Sequence, residues 1–589
     1  MSRAAIVFFL LSAAGVTAVA EEIWFEDLQG VLALRVVDQQ RVARHVGDAL
    51  TQPERDPAPL PESVLADRAP RIVVLTVSDG LSRGRVLHAG GAGLGDALAR
   101  VLQLARRSAE TGSQIRWIKL DLVRETDPLS GADLAAKLAI ECTLDGLAFD
   151  RESGLLLLPE ELVVGRLLDE QGMLSPDRVP GWLKKRGGRP EAFTEARSRP
   201  PVLHRFRCLS WFTDGNEVVA LHRGHRMYAS VAQDDLTAAV RAGAAYLRDA
   251  VKKDGSFVYS YSPDRGWETE AYNIVRHAGC TWSMLDAVGF TRDRELQTAT
   301  ERALRRLREA IQPVPAARGA GKCVVWGGVS QLGATALATV AMVEAVRVGV
   351  DKSALADARE LGRGILSLQS PNGEYGIHEF DHPSGEPRAT LCKYYPGEAA
   401  LALVRLHSLD PEGPWLEAAE RSVRWIIEVR DAVPPEEQEH DHWLLYALDD
   451  IHRLRPKPDY LAHVRRIVAV ILGAQHRRHE RWDFTGGYTP RPNSTPTATR
   501  SEGLGAACRL LRDYGTPEEA AEVLAAIELG VRFQLQTQYR PERTIYFTNP
   551  HRSLGGFHAH LEQFDIRNDY VQHNVSALIS LHRLRAVGK

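Results

Sequence analysis

Between Leu236 and Leu584, ionisable and aromatic residues recur in short clusters: Tyr272-Asn273-Ile274-Val275-Arg276-His277, Tyr394-Tyr395-Pro396-Gly397-Glu398, Asp441-His442-Trp443, Arg500-Ser501-Glu502 and Arg567-Asn568-Asp569-Tyr570-Val571-Gln572-His573. Two carboxylates among Glu398, Asp441, Glu502 and Asp569, held at a suitable separation, would act as acid and base or as nucleophile on a glycosidic bond. Because histidine as a residue type titrates near neutral pH, His442 and His573 are the expected general bases, with Tyr394 or Tyr395 across the cleft as acid. A neighbouring carboxylate is expected to orient each imidazole: Glu439 or Asp441 for His442, and Asp569, four residues earlier on the same helical face, for His573. Arg276, Arg500 and Arg567 would clamp a carboxylate-bearing sugar bidentately, with Tyr272, Asn273, His277 and Trp443 completing the substrate wall. This is the residue set of uronate elimination or epimerisation.

The elements that must position these residues repeat. An amphipathic helix, a Gly/Pro-rich connector and a second helix follow one another six times, and the clusters open the second helices. The expected outer and inner members are 236–251 with 270–288, 292–312 with 330–348, 352–367 with 394–407, 415–429 with 442–454, 460–474 with 500–514, and 517–534 with 570–584. Outer members carry apolar residues at three-and-four spacing, as in Leu416, Ala419, Val423, Ile426 and Ile427. Six pairs suffice to close a ring, in which parallel inner helices bring their first turns to one rim. The predicted fold is therefore mainly α: an (α/α)6 toroid at 231–589.

The connectors share marks: Lys253-Asp254-Gly255-Ser256-Phe257, Gln369 with Gly373-Glu374-Tyr375, Gln475 with Gly486-Gly487-Tyr488, and Gln536 with Gly555-Gly556-Phe557. This layout resembles the Gln…Gly-aromatic repeats of squalene-cyclase-like and prenyltransferase-like toroids, and the six-hairpin barrels of many polysaccharide-acting enzymes. The resemblance implies a fold more than a reaction. No cofactor is expected. Zinc is the competing reading, because His277, Cys280, Cys323, Cys392, His440, His442 and Cys508 include its preferred ligand types and lanthionine cyclases and protein prenyltransferases are zinc-bearing toroids. The cyclases' paired Cys-His-Gly and Trp-Cys-Tyr-Gly patterns are absent from this sequence.

Ahead of the toroid, strand-like Ile72–Val77 and Ile115–Val123, helix-like Leu94–Arg106, and the pair Gly146–Phe149 and Leu155–Leu158 predict a small α/β domain at 70–185. Residues 21–69, with prolines at 53, 57, 59 and 61, read as an N-terminal segment and linker, and basic, Pro/Gly-punctuated 186–230 as a second linker. Through Trp117-Ile118-Lys119-Leu120-Asp121-Leu122, Asp145-Gly146-Leu147 and Gly154-Leu155-Leu156-Leu157-Leu158-Pro159-Glu160, the α/β part resembles the AMME-chromosomal-region domain family. That family's Leu-Arg-Gly-Cys-Ile-Gly signature is missing, and Arg83-Gly84-Arg85-Val86-Leu87 stands in its place. A supporting role without its own reaction is therefore expected. The nucleophile-elbow pattern Gly80-Leu81-Ser82-Arg83-Gly84 lacks the helix it requires, and Gly90-Gly91-Ala92-Gly93-Leu94-Gly95 lacks a P-loop lysine; both read as turns.

Composition narrows the partners. A formal charge of −3 at pH 7 over 589 residues gives no global attraction to nucleic acid. Met1-Ser2-Arg3, an apolar run and Ala18-Val19-Ala20 have the layout of a secretory signal at 1–20, so the expected location is periplasmic or secreted, with no membrane span after cleavage. Six scattered cysteines lack the spacing of a disulfide scaffold. The expected function is an exported carbohydrate-active enzyme that cleaves or epimerises an anionic, uronate-type polysaccharide. The alternatives are a non-catalytic envelope glycan- or peptide-binding or assembly protein, and a zinc-dependent toroid cyclase or transferase.

Overall fold

The computed structural model describes residues 23–28, 30–109, 114–129, 138, 140–169, 171–198 and 203–587. The expected signal at 1–20 lies outside them. The chain divides into two compact units: Met1–Arg226 with Ile545–Phe547, and Met227–Thr544 with Thr548–Lys589.

The first unit is built on an antiparallel sheet of β1 (Arg71–Ser78), β2 (Arg85–Gly91), β3 (Trp117–Pro128), β4 (Gly146–Ala148), β5 (Leu156–Leu157) and β6 (His204–Thr213), in the order β2-β1-β3-β6-β4-β5. β7 (Val218–His222) pairs with β6, and β8 (His225–Arg226) with β7. Two expected linkers are corrected here. Residues 186–230 hold β6, which runs along nearly the whole of β3, from Ile118 opposite Thr213 to Pro128 opposite His204. Residues 21–69 hold a helix, Val36–Thr51, whose Val42, Ala43, Val46 and Ala49 are buried in one core with Val73, Leu75, Leu98 and Val101. Apolar burial of that face outweighs the proline-rich stretch, which only ends the helix. Ser82 sits in a turn where its backbone N–H and hydroxyl both donate to Asp79 Oδ1 at 2.8 and 2.9 Å.

The second unit is a closed ring of helix pairs, the (α/α)6 toroid. Its inner helices are Ile274–Thr291, Leu332–Arg347, Tyr395–His407, His442–Leu454, Ser494–Tyr514 and Asn568–Val587. Each packs on the next, and the sixth packs back on the first. The outer helices are Gln233–Ala250, Arg294–Glu309, Ala354–Leu368, Trp415–Trp425 (continued by a π-helical turn, Ile426–Arg430), Pro458–Ala474 and Pro517–Gln536. The fifth inner helix starts six residues earlier than the sequence suggests, capped by Asn493, whose side chain accepts from Thr495 N–H at 3.2 Å. Arg500 and Glu502 therefore stand in its second turn and beyond.

The connector motif has a physical cause. Gln369 donates from Nε2 to the Ala418 carbonyl at 2.9 Å, and Gln475 to that of Ala526 at 2.9 Å, each clamping the following outer helix. The last clamp is made by Gln538, which reaches Ala239 of the first outer helix at 2.8 Å and closes the ring. Gln536, the glutamine the repeat pairs with Gly555-Gly556-Phe557, donates instead to Arg532 of its own helix. Gly373 and Gly486, at φ of 96° and 98°, lie against the backbone of the clamped helix, where a Cβ would come within 2.1 Å of a carbonyl oxygen.

Candidate active site

The first turns of the inner helices and the loops beside them enclose a cavity of about 930 Å3. Of the expected site residues, Asn273, Arg276, Tyr394, Tyr395, Glu398, His442, Trp443, Arg500, Arg567, Asp569 and His573 line it. Close approach of the inner helices makes this convergence possible. At Gly333 a Cβ would meet the Tyr395 ring at 2.3 Å and Glu398 Oε2 at 2.5 Å.

Glu398 stands in the first turn of the third inner helix, 4% exposed, and its Oε2 has no hydrogen-bond partner. Burial, reinforced by the charge of Asp441, pushes its carboxyl up to about 8, so it carries a proton at neutral pH. A buried acid kept neutral in a cavity wall is equipped to donate.

His573, from the sixth inner helix, hydrogen-bonds through Nδ1 to Glu502 Oε1 at 2.8 Å. Glu502 belongs to the fifth inner helix, is fully buried, and accepts from the Tyr446 hydroxyl on Oε2 at 3.2 Å. The pair leaves His573 Nε2 for the cavity that the ring lines. This corrects two expectations: the partner of His573 is Glu502 and not Asp569, and Glu502 stands behind the cavity wall. His442 packs against Trp443 with the rings tilted by 38° and their centroids 4.4 Å apart, and lies 5.4 Å from the ring of His573. Burial, then the neighbouring His573 and Arg500, hold its imidazole well below its ordinary range, so it is neutral. Among the described residues no carboxylate hydrogen-bonds to it, and its Nε2 is buried without a partner there. His442, Glu502 and His573 offer ligand atoms within 4.8 Å of one another, which is the donor set among the described residues that could hold a divalent ion. In this structure the atoms Nδ1 of His573 and Oε1 of Glu502 are spent on each other.

Arginines supply the anion-binding character. Arg500 donates from Nε to His440 Nδ1 at 2.7 Å and lies over the Tyr488 ring at 5.0 Å, and among the described residues it has no carboxylate partner. In the sequence His440 stands only among the zinc-type ligands, not among the substrate-binding residues. Burial, then Arg500 and Lys393, bring it down to about 4, so the ring is neutral, and with Nδ1 accepting from Arg500 its hydrogen is on Nε2; His440 itself lines the cavity. Arg276 and Arg567 both bind Asp569, at 3.0 and 2.9 Å, leaving that trio one net positive charge.

Other expected site residues are structural. Asp441 caps the fourth inner helix by accepting from Leu444 N–H at 3.1 Å, and pairs with Arg430 at 2.8 Å, fully buried. Tyr272 and His277 lie outside the cavity: the phenol meets His277 Nδ1 at 2.6 Å, and His277 Nε2 donates to the Ala303 carbonyl of the second outer helix at 2.9 Å. Burial brings His277 down to about 4, consistent with a neutral packing residue.

At the far end of the bore, a separate cavity of about 360 Å3 is lined by Arg347, Arg405, Arg453, Arg509, Arg512 and Arg583 with Asp286, Glu344, Asp449 and Asp450. Inner helices end there, and the guanidinium groups offset their carbonyl termini. Trp282, Trp443 and Tyr446 pack between the two cavities, with ring centroids 5.6 to 6.3 Å apart.

The fold and site thus define an α/α toroid with a polar cavity at the inner-helix N-termini. No family model matches the chain. No curated protein matches it either. Among solved structures it is similar to cellobiose 2-epimerase from Bacillus thermoamylovorans (12% identity, 50% of this chain and 86% of that chain, TM-score 0.41). It is similar also to D-mannose isomerase (12% identity, 60% and 98%, TM-score 0.46) and to unsaturated glucuronyl hydrolase specific for heparin (12% identity, 60% and 99%, TM-score 0.42). The assignment of this fold rests on the closed circuit of helix pairs.

Proposed function

We propose that the toroid is a carbohydrate-active enzyme that moves a proton at the carbon next to a sugar carboxylate, epimerising or eliminating an anionic, uronate-type polysaccharide. The observation that carries this reading is that one cavity is lined both by His573, fixed by Glu502, and by the protonated Glu398. Arg500 and the Nε2 hydrogen of His440 bind the substrate carboxylate, and the Arg276–Arg567–Asp569 trio adds positive charge. His573 Nε2 takes the proton from the adjacent carbon, and the electron pair moves into the carboxylate, whose added charge Arg500 holds. For elimination, that pair returns to form the carbon–carbon double bond, the bond to the glycosidic oxygen breaks, and Glu398 gives its proton to the departing oxygen. For epimerisation, Glu398 gives its proton to the same carbon on the face opposite His573. Proton exchange with water then resets His573 and Glu398. The signal-like N-terminus supports action in the periplasm or outside the cell.

A second reading, a binding protein, draws support from Asp441 and Asp569, both already paired with arginine. Glu398 is not so paired, which favours the enzyme. The test is incubation of the full chain with uronate-containing and neutral glycans in deuterated water. Product double-bond absorbance or deuterium at the carbon next to the carboxylate is expected. Reducing ends without either would establish hydrolysis instead, and binding without turnover across the panel would establish the second reading.

A further inference from the structure

The proton-transfer scheme needs His573 with its hydrogen on Nδ1, and that requires Glu502 to stay ionised although it is buried. Burial raises the Glu502 carboxyl, and Asp286 nearby raises it further; His573 and the Tyr446 hydroxyl oppose this. Tyr446 is itself immobilised: it is 6% exposed, its ring edge-on to Trp282 at 6.0 Å, with the Arg405 guanidinium 5.4 Å from its centroid and 5.2 Å from that of Trp282. Arg405 is held in turn by Asp450 at 3.3 Å. Arg405, Tyr446, Glu502 and His573 form one continuous line of contacts along the bore, from the arginine-lined cavity to the active-site cavity.

We propose that Tyr446 is a positioning residue that sets the tautomer of His573 through Glu502. The phenol supplies the second hydrogen bond a buried carboxylate needs to remain charged, and the charged carboxylate holds the imidazole hydrogen on Nδ1, leaving the Nε2 lone pair for substrate. A neutral Glu502 would carry the hydrogen itself, turn Nδ1 into an acceptor and place the ring hydrogen on Nε2, where it blocks proton abstraction. Arg405, over the phenol ring, holds the ring in place, and the hydroxyl donates to Glu502.

This inference rests on the reading of His573 as the base, and its test separates the two. Nitrogen-15 imidazole spectra of the full chain are recorded for wild type and Tyr446→Phe, with His573 assigned by His573→Gln. Wild type is expected to show Nε2 as the unprotonated nitrogen, and Tyr446→Phe a clear shift of hydrogen from Nδ1 to Nε2. With a substrate in hand, kcat falls about tenfold with KM unchanged. An unchanged tautomer in Tyr446→Phe overturns the inference, whatever the activity. A shifted tautomer in a protein with no turnover on any glycan upholds it and removes the reading of the reaction.

Discussion

The carboxylate of Glu502 and the imidazole of His573 come from consecutive inner helices and meet at 2.8 Å behind the cavity wall, 71 residues apart in the chain. His573→Gln is therefore expected to reduce turnover by ~10²-fold or more, the contribution typical of a positioned base, with an unchanged melting temperature. His442→Gln tests the neighbouring ring: lost stability with near-normal specific activity would make it a packing residue against Trp443.

Glu398 has the most informative pH behaviour. Its folded-state carboxyl is raised to about 8 from an ordinary 4.5, so between those values the folded protein holds a proton that the unfolded chain has released. Stability from this group accordingly falls as pH rises through that window. In Glu398→Gln the decline in melting temperature from pH 5 to pH 8 should be shallower. Turnover by the native enzyme should drop as pH passes about 8, and the variant should be slow throughout; a fast variant removes Glu398 from the role of acid.

Arg500→Gln is expected to raise KM for a uronate-bearing glycan about 10- to 100-fold, the worth of a hydrogen-bonded charge contact. Binding of a neutral glycan should change little, and the native protein's affinity for the anionic one should weaken with salt. Equal losses for both glycans would show that Arg500 shapes the wall and does not read charge.

Asp441→Ala should act on stability. It removes a helix cap and one partner of the buried Arg430, for a loss of about 3 kcal/mol in denaturant unfolding. Folded variant should retain near-native turnover, and a catalytic defect at full stability would restore Asp441 to the chemistry.

Gly333→Ala is a steric test of the acid. The added methyl would fall 2.5 Å from Glu398 Oε2 and 2.3 Å from the Tyr395 ring, so one must move. Turnover should fall while carboxylate binding at Arg500 survives.

The ring was legible in the sequence because three-and-four spacing and positive-φ connector glycines are local features, read directly at Leu416 to Ile427 or at Gly373. What escaped was set by distant partners. β6 reads as a basic linker until β3 is laid beside it. Asp441 looked catalytic because Arg430 belongs to the neighbouring outer segment, and Tyr272 and His277 looked like substrate contacts because the Ala303 carbonyl that holds His277 outward lies on another helix. Arg500, Glu398 and His573 from these clusters line the cavity, but which side chains face inward depends on contacts that spacing does not encode.

The aromatic partition formed by Trp282, Trp443 and Tyr446 makes the active-site cavity a blind well. A polysaccharide cannot be threaded through the ring and ratcheted along. On the proposed reading, a glycan enters this well by its end and its product leaves by the same mouth. Under the proposed function, the enzyme works on chain ends or short oligosaccharides one encounter at a time, and small products accumulate from the first turnovers while the remaining polymer shortens only gradually.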